Sequence, residues 1–283
     1  MRGVKTLFLL TALTLLLVLG GEAIAGQQGM TFGLIIAVVM NGIAYFFSDK
    51  IALMSSGAQP VSREQLPRLY EVMERLVAKA RLPMPKLYVI PQAAPNAFAT
   101  GRNPSHASVA VTAGLMELMN DDELEGVIAH ELSHVRNYDI LITSIAATLA
   151  GAITWIASMG RWAMIFGGYG DSRDRRGGGL AALLMLLVAP IAALLIQLGI
   201  SRQREFAADA SGAKMVGHPY GLISALEKLG AYNKRIPMDV SPTTASLFIV
   251  APLTAGQVFS GLFSTHPPLS ERIAVLRNMT IAG

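Results

Sequence analysis

Long apolar runs alternate with more polar, amphipathic stretches along this chain of 283 residues. Four runs are candidate membrane segments, and they occupy residues 6–19, 31–47, 140–156 and 180–200. The pattern predicts two transmembrane segments within residues 1–48 and a hydrophobic hairpin of two more within 140–200. Two water-facing parts, residues 49–139 and 201–283, are then left to carry the chemistry of the protein.

Composition also points to a membrane protein. Hydrophobic residues make up 52% of the chain and charged residues 15%, and the mean hydropathy is +0.47. These values are too apolar for an ordinary soluble protein of this length. The first run has one alternative interpretation, a signal peptide, because Ala23-Ile24-Ala25 resembles a cleavage site. The second run is close to the minimum length for a span and contains the polar Asn41.

The distribution of positive charges predicts an orientation. Arg2 and Lys5 precede the first run, residues 20–30 contain no Lys or Arg, and the region after Lys50 is rich in both. Under the positive-inside rule, residues 50–139 face the cytoplasm. The net charge of +4 is dispersed without a basic patch, so we expect no nucleic-acid partner. The absence of cysteine excludes disulfides, thiolate catalysis and Cys-ligated zinc.

Apolar spacing predicts a small unit of mixed structure within residues 49–139. Residues 62–80 have the periodicity of an amphipathic helix, and residues 86–90 and 106–112 that of two strands joined by turns around 96–101. The edge of such a hairpin can bind an extended peptide through main-chain hydrogen bonds, which favours a polypeptide substrate. The alternative is a hairpin that only covers the neighbouring helix. The predicted fold class is α+β and mainly helical.

One His-Glu-x-x-His motif, formed by His130, Glu131 and His134, is the centre of the candidate chemistry. Asn120 with Glu123 three positions later is a helix-start signal, which places the motif in the third turn of a helix. Residues four apart share a helix face, so both imidazoles can bind one metal ion. Zinc suits this spacing because three protein ligands leave a position for water, and Glu131 is the expected base for that water.

A third protein ligand must come from elsewhere in the chain. The class of zinc peptidases with a third histidine six residues after the second is excluded, because Ile140 occupies that position. Glu205 is the candidate, and Asp209, one helical turn later, can orient a metal-binding histidine. The alternative for Glu205 is an ion pair with a neighbouring arginine, and Glu227 and Glu271 are weaker candidates for the ligand. Because both parts must meet at one ion, the apolar runs between them cross the membrane together or not at all.

These motifs together resemble those of the HtpX family of bacterial membrane zinc endopeptidases, which are distantly related to the eukaryotic CAAX-prenyl zinc proteases. The resemblance is carried by the His130 motif, the pair Glu205 and Asp209, residues 96–101 and residues 265–268. It implies an integral membrane metalloprotease of gluzincin type. One Zn²⁺ per chain would be held by the two histidines of the motif and Glu205.

Further site residues and the biological setting follow from the resemblance alone. It implies that His266 donates a hydrogen bond to the oxyanion with Arg272 as its support, and that Asn96, Ala97 and Phe98 contact the substrate. It also implies cleavage of misfolded or damaged membrane proteins, often under stress, at the cytoplasmic face of the bacterial inner membrane. The expected partners are therefore polypeptides and the lipid bilayer. Two alternatives stay open: a membrane scaffold or chaperone with a structural zinc, and a zinc-dependent exopeptidase or prenyl-protein protease.

Overall fold

Helices dominate the computed structural model, which describes residues 2–149, 202–233, 238, 247–250 and 267–280. In chain order the helices are α1 (Arg2–Ser55), α2 (Pro67–Ala80), α3 (Ala113–Leu118), α4 (Asp121–Asn137), α5 (Asp139–Leu149), α6 (Arg202–Val216), α7 (Tyr220–Asn233) and α8 (Leu269–Arg277). The strands of one small mixed sheet are β1 (Gln59–Pro60), β2 (Lys86–Ile90), β3 (Ala97–Gly101) and β4 (Ala107–Thr112). A mainly helical α+β fold is confirmed.

Helix α1 consists of two arms that fold back on each other at a kink formed by Ala25 and Gly26. Gly26 has φ 59°, a left-handed value that glycine adopts without strain. The arms lie so close that a Cβ on Gly29 would overlap the carbonyl group of Gly21. Small residues at such a contact let two membrane helices approach closely. The first two apolar runs therefore form a helical hairpin.

Asn41, the polar residue of the second apolar run, has partners on the opposite arm. Its Nδ2 donates hydrogen bonds to Thr14 Oγ1 at 2.9 Å and to the Leu10 carbonyl at 3.2 Å. Hydrogen bonds of this kind between helices satisfy a polar group in apolar surroundings. The residue that argues against a membrane segment in the sequence thus joins the two arms in the structure.

By length and composition, one helix of the described part can cross a membrane, the arm Ala25–Ser55. The other arm, Thr6–Glu22, and helix α5 are apolar but shorter. The run at residues 180–200 lies outside the described residues, as does the second half of the run that begins at residue 140. The number of four membrane segments therefore stays a prediction.

The sheet has the strand order β1-β2-β4-β3, and its pairings correct the predicted hairpin. β2 and β4 run parallel, with Tyr88 opposite Ala110, so they are not the two strands of a hairpin. The segment predicted as turns, residues 97–101, is the edge strand β3 and pairs antiparallel with β4. The prediction was wrong because all five residues of β3 are buried, and the alternation that marks a half-exposed strand is missing.

Helix α2 begins at Pro67, which corrects the predicted start of this helix at residue 62. Proline suits the first turn of a helix because its missing N–H is not needed there, and residues 63–65 form a turn before it. The buried face of α2 shares one hydrophobic core with α4 and β4. It consists of Leu69, Val72, Met73, Leu76 and Val77.

Helix α4 lies at the centre of the described structure and contacts α2, α6, α7 and β3. Helix α5 follows α4 directly and packs on α1, where Ile145 and Leu149 meet Leu9 and Leu13. The helix that carries the His-Glu-x-x-His motif is therefore surrounded by the core, and the apolar helix α5 follows it after one residue.

Candidate metal centre

Helix α4 begins directly after Asn120, in agreement with the helix-start signal in the sequence. Asn120 Oδ1 accepts from the Glu123 N–H and Glu123 Oε2 accepts from the Asn120 N–H, both at 2.9 Å. Lys228 Nζ and Ser224 Oγ of α7 donate to the same carboxylate at 2.7 and 2.6 Å. The first turn of α4 is thereby fixed to α7, about two turns before the motif.

Helix α6 crosses α4 at a close contact between backbones. A Cβ added to Gly212 would lie 3.0 Å from the backbone nitrogen of His130. Asp209 and Glu205 are buried residues of α6, about one and two turns before this crossing. The small residue at the crossing therefore brings two acidic side chains against the motif.

The structure brings together the three side chains proposed as ligands, those of His130, His134 and Glu205. The two Nε2 atoms are 3.2 Å apart, and each lies 3.6 Å from a carboxylate oxygen of Glu205. A tetrahedral ion bound at about 2.0–2.2 Å from each ligand separates the ligand atoms by about 3.3–3.6 Å. The spacing and chemistry of these donors fit zinc.

Glu131 is buried beside the three donors. The backbone N–H of Ala99, in strand β3, donates a hydrogen bond to its carboxylate. Burial raises the pKa of the Glu131 carboxyl to about 7, with an opposing contribution from His134 and a further increase from the negative charge of Glu205. A carboxyl group with such a pKa can both accept and release a proton near neutral pH.

Asp209 and Arg272 form a buried pair behind His130. Asp209 Oδ1 lies 2.8 Å from His130 Nδ1, and Arg272 Nε and Nη2 donate to the two carboxylate oxygens at 2.8 and 2.7 Å. Burial alone raises the pKa of the Asp209 carboxyl, but Arg272 and His130 outweigh it and hold the pKa at about 2. An ionised Asp209 accepts the Nδ1–H of His130, which directs the Nε2 lone pair toward the other donors.

A second carboxylate, that of Asp139, lies behind His134, and the sequence analysis did not predict this contact. Asp139 Oδ2 lies 3.3 Å from His134 Nδ1, and Arg204 Nη1 lies 3.8 Å from Asp139 Oδ1. In the sequence Asp139 is only the last polar residue before an apolar run. An acidic residue five positions after the second histidine was the one available signal.

The residues expected to contact substrate are buried. Asn96 Nδ2 donates to the Val250 carbonyl at 2.8 Å, and the Ala97 carbonyl accepts from the Ile249 N–H at 2.9 Å. The ring of Phe98 packs edge-on against that of Phe248, with centroids 5.0 Å apart. Asn96, Ala97 and Phe98 thus hold residues 247–250 along β3, and their contact with a substrate stays a prediction.

Of the remaining candidates, His266 lies outside the described residues, so its role as an oxyanion donor stays a prediction. Arg272 is fully buried against Asp209 and also lies 3.8 Å from Glu205. Glu227 pairs with Arg277 at the surface. Glu271 is exposed on α8, so neither of the weaker ligand candidates belongs to the cluster.

Residues 62–280 match the family described as Peptidase family M48. The chain belongs to peptidase family M48. Among the relatives of this M48 chain, a Protease HtpX homolog from Desulfatibacillum aliphaticivorans is 57% identical over 274 residues, which are 96% of this chain and 88% of that protein. A Protease HtpX homolog from Pelotomaculum thermopropionicum is 50% identical over 282 residues, covering 99% and 100% of the two chains. The resemblance to the HtpX family is confirmed.

A solved structure is also similar to this M48 chain. The crystal structure of S. mikatae Ste24p has a TM-score of 0.54 and 21% identity, and the match covers 96% of this chain and 65% of that one. At this identity the likeness shows the fold alone. Family membership and the HtpX relatives show that the chain is a membrane metalloprotease, which confirms the predicted enzyme class.

Proposed function

We propose that this chain is a zinc-dependent endopeptidase that cleaves misfolded or damaged membrane proteins at the cytoplasmic face of the bacterial inner membrane. The observation that carries the proposal is the convergence of His130, His134 and Glu205 beside the buried carboxyl of Glu131. Three protein ligands with one position left for water are typical of catalytic zinc, whereas structural zinc is usually closed by four. The donor set therefore favours an enzyme over a scaffold with a structural metal.

Glu131 performs the proton transfers of the proposed reaction. Bound zinc supplies a Lewis acid that polarises the scissile carbonyl group and lowers the pKa of water to about 7. The Glu131 carboxylate accepts a proton from the attacking water and passes it to the leaving nitrogen of the peptide bond. The buried position of Glu131 keeps its pKa close to neutrality, which suits both halves of this exchange.

The outer edge of β3 supports a polypeptide substrate. Ala97 uses its carbonyl group on this edge to bind Ile249, so Ala99 and Gly101, two and four residues later, present their main chain to the same side. The Ala99 N–H already points at Glu131. An extended peptide added to this edge lies directly beside the catalytic carboxyl. Ala99 is only 6% exposed and Ile249 occupies this edge at Ala97, so peptide binding here requires the residues that cover the edge to rearrange.

The apolar helices support a membrane location for the site and its substrates. Large hydrophobic side chains on the arm Ala25–Ser55 face outward, among them Val38, Val39 and Phe46. Helix α5 begins within hydrogen-bond reach of the metal ligand His134. The charge distribution described above favours the cytoplasmic side for the active site. We propose four membrane segments on the same grounds.

The proposal is tested with purified protein in detergent, zinc analysis and digestion of an unfolded protein such as casein. The wild type is expected to bind one zinc per chain and to cut at internal bonds, mapped by mass spectrometry. Glu131→Gln is expected to retain zinc and to lose about 10²–10⁴-fold in cleavage rate. Glu125→Gln, which alters a carboxylate of α4 near Arg75 and Lys79, is the matched control and should cleave normally.

Other outcomes identify the alternatives. Full cleavage by Glu131→Gln with zinc bound would overturn the proposed mechanism. Release of terminal residues alone would favour an exopeptidase, and zinc binding without any cleavage a structural site. For the orientation, a reporter fused after Gly283 should be active only as a cytoplasmic reporter, and labelling of that end from outside would contradict the topology.

A further inference from the structure

We infer that Asp139 is a positioning residue for His134 and that Arg204 holds Asp139 in place. The inference rests on the proposed metal site and adds a second support to it. His130 has Asp209 behind it, with Arg272 as the partner of that carboxylate. His134 has Asp139 behind it, with Arg204 in the corresponding place.

The position of Asp139 depends on a turn at a single residue. Tyr138 ends α4 in the left-handed region, with φ 62° and ψ 20°, and its N–H bonds back to the carbonyl groups of His134 and Val135. This turn stops the regular helix and places the next residue beside the last turn of α4 instead of farther along it. Asp139 Oδ2 therefore reaches His134 Nδ1 at 3.3 Å, although five positions separate the two residues.

The hydrogen bond determines which nitrogen of His134 is available to a metal. When Nδ1 carries the proton and donates it to Asp139, Nε2 keeps its lone pair. That Nε2 is the atom 3.2 Å from His130 Nε2 and 3.6 Å from Glu205. Without an acceptor at Nδ1 the imidazole loses both its fixed tautomer and its fixed ring orientation.

Arg204 links this support to the helix that carries the third donor. It directly precedes Glu205 on α6, and its Nη1 lies 3.8 Å from Asp139 Oδ1. Both side chains of the pair are mostly buried, at 16% and 14% exposure. A partly buried guanidinium at this distance limits the rotation of the carboxylate. The pair thus joins the start of α5 to the metal side of α6.

A purely structural role for Asp139 makes a different prediction. A carboxylate in the first turn of a helix stabilises the helix through its dipole. If Asp139 had only this role, its replacement would lower the stability of the metal-free protein and leave the metal affinity unchanged. Metal affinity and the ligand field of a bound ion therefore separate the two roles.

The test compares full-length Asp139→Ala and Asp139→Asn with the wild type in detergent. Zinc affinity is measured by competition with a chelator, ligand geometry by the absorption spectrum of the Co²⁺-substituted protein, and stability by thermal unfolding of the metal-free protein. Asp139→Ala is expected to bind zinc about 10–100-fold more weakly with an altered cobalt spectrum. Asp139→Asn is expected to lose less, because its amide oxygen still accepts the Nδ1–H. Asp122→Ala, which removes an exposed carboxylate from the first turn of α4, is the matched control.

Arg204 is tested through its dependence on Asp139. Arg204→Gln should weaken zinc binding in the wild-type background and have no further effect in Asp139→Ala. Zinc affinity of Asp139→Ala within about twofold of the control, with an unchanged cobalt spectrum, would overturn the inference while leaving the metal site intact. Failure of the wild type to bind zinc or Co²⁺ would instead remove the proposed function. Should Asp139→Ala not fold, the nearly isosteric Asp139→Asn decides by the same two measurements.

Discussion

Arg272 donates hydrogen bonds of 2.8 and 2.7 Å to the two carboxylate oxygens of Asp209, although the residues are 63 positions apart in the sequence. The same guanidinium donates to the Ile249 carbonyl at 2.9 Å. It therefore connects α8 and α6 with the segment that lies along β3. Arg272 and Asp209 are both buried, so each charge depends on the other for its neutralisation.

Arg272→Gln should destabilise the protein strongly. Removing one partner of a buried ion pair leaves the other charge uncompensated, which costs about 3–5 kcal/mol. The control, Arg277→Gln, removes an exposed arginine of the same helix that pairs with Glu227 and should cost less than about 1 kcal/mol. Chemical denaturation of the metal-free variants in detergent provides both values. Equal losses in the two variants would contradict the importance given to the buried pair.

Glu205→Gln should remove the third metal ligand. A neutral amide is a poor ligand for zinc, and losing a residue that merely orients a ligand already weakens binding about 10–100-fold. We expect a loss larger than a hundredfold for Glu205→Gln, measured by competition with a chelator. Glu227→Gln, on α7 and away from the cluster, is the control. Normal zinc content in Glu205→Gln would show that another group completes the site.

Gly212→Ala should disturb the crossing of α6 over α4. A helix interior normally gains up to about 1 kcal/mol from this substitution. Here the added methyl group would lie 3.0 Å from the backbone of His130, and overpacking typically costs about 1–3 kcal/mol. Gly42→Ala, where a Cβ has open space, is the control and should be neutral or stabilising. Unfolding free energies and zinc affinities of both variants check this, and a stabilised Gly212→Ala would refute the tight crossing.

Glu123 should make the stability of the protein depend on pH. Burial raises the pKa of its carboxyl, but hydrogen bonds from Lys228, Ser224 and Asn120 outweigh burial and hold the pKa below its ordinary value of 4.5. A carboxyl whose pKa is lower in the folded than in the unfolded state stabilises the fold above the ordinary value, and this contribution disappears as the pH falls through the folded value.

The measurement is the unfolding free energy as a function of pH below 4.5. Glu123→Gln should reduce the decline of stability on acidification, because the variant has lost the group that titrates. Glu117→Gln changes an exposed carboxyl and should keep the slope of the wild type. An identical slope in Glu123→Gln would mean that the capping network adds no acid-sensitive stability.

Patterns of short range explain what the sequence predicted well. Asn120 and Glu123 interact within one turn, so their spacing alone indicates a helix start. The pitch of the same helix sets the separation of His130 and His134. Glu205 and Asp209 are also one turn apart on a single helix, so their spacing alone indicates a ligand with an orienting acid beside it. In each case the relevant distance follows from local helix geometry.

Contacts between distant segments explain what the sequence did not predict. Strand β3 is buried along its whole length, so its residues lack the alternation of a strand with one wet face. The role of Asp139 depends on the left-handed backbone turn at Tyr138. The residue types around Tyr138 do not indicate this turn. The bond from Arg272 reaches a carbonyl group at Ile249, and every residue type offers such an acceptor.

Tyr138 is the single residue that connects α4, the helix that carries both histidines, with the apolar helix α5. A connection of one residue leaves no flexible linker between the two helices, so α4 cannot move independently of α5. The packing of α5 on α1 therefore also limits the positions that His130 and His134 can take relative to α1.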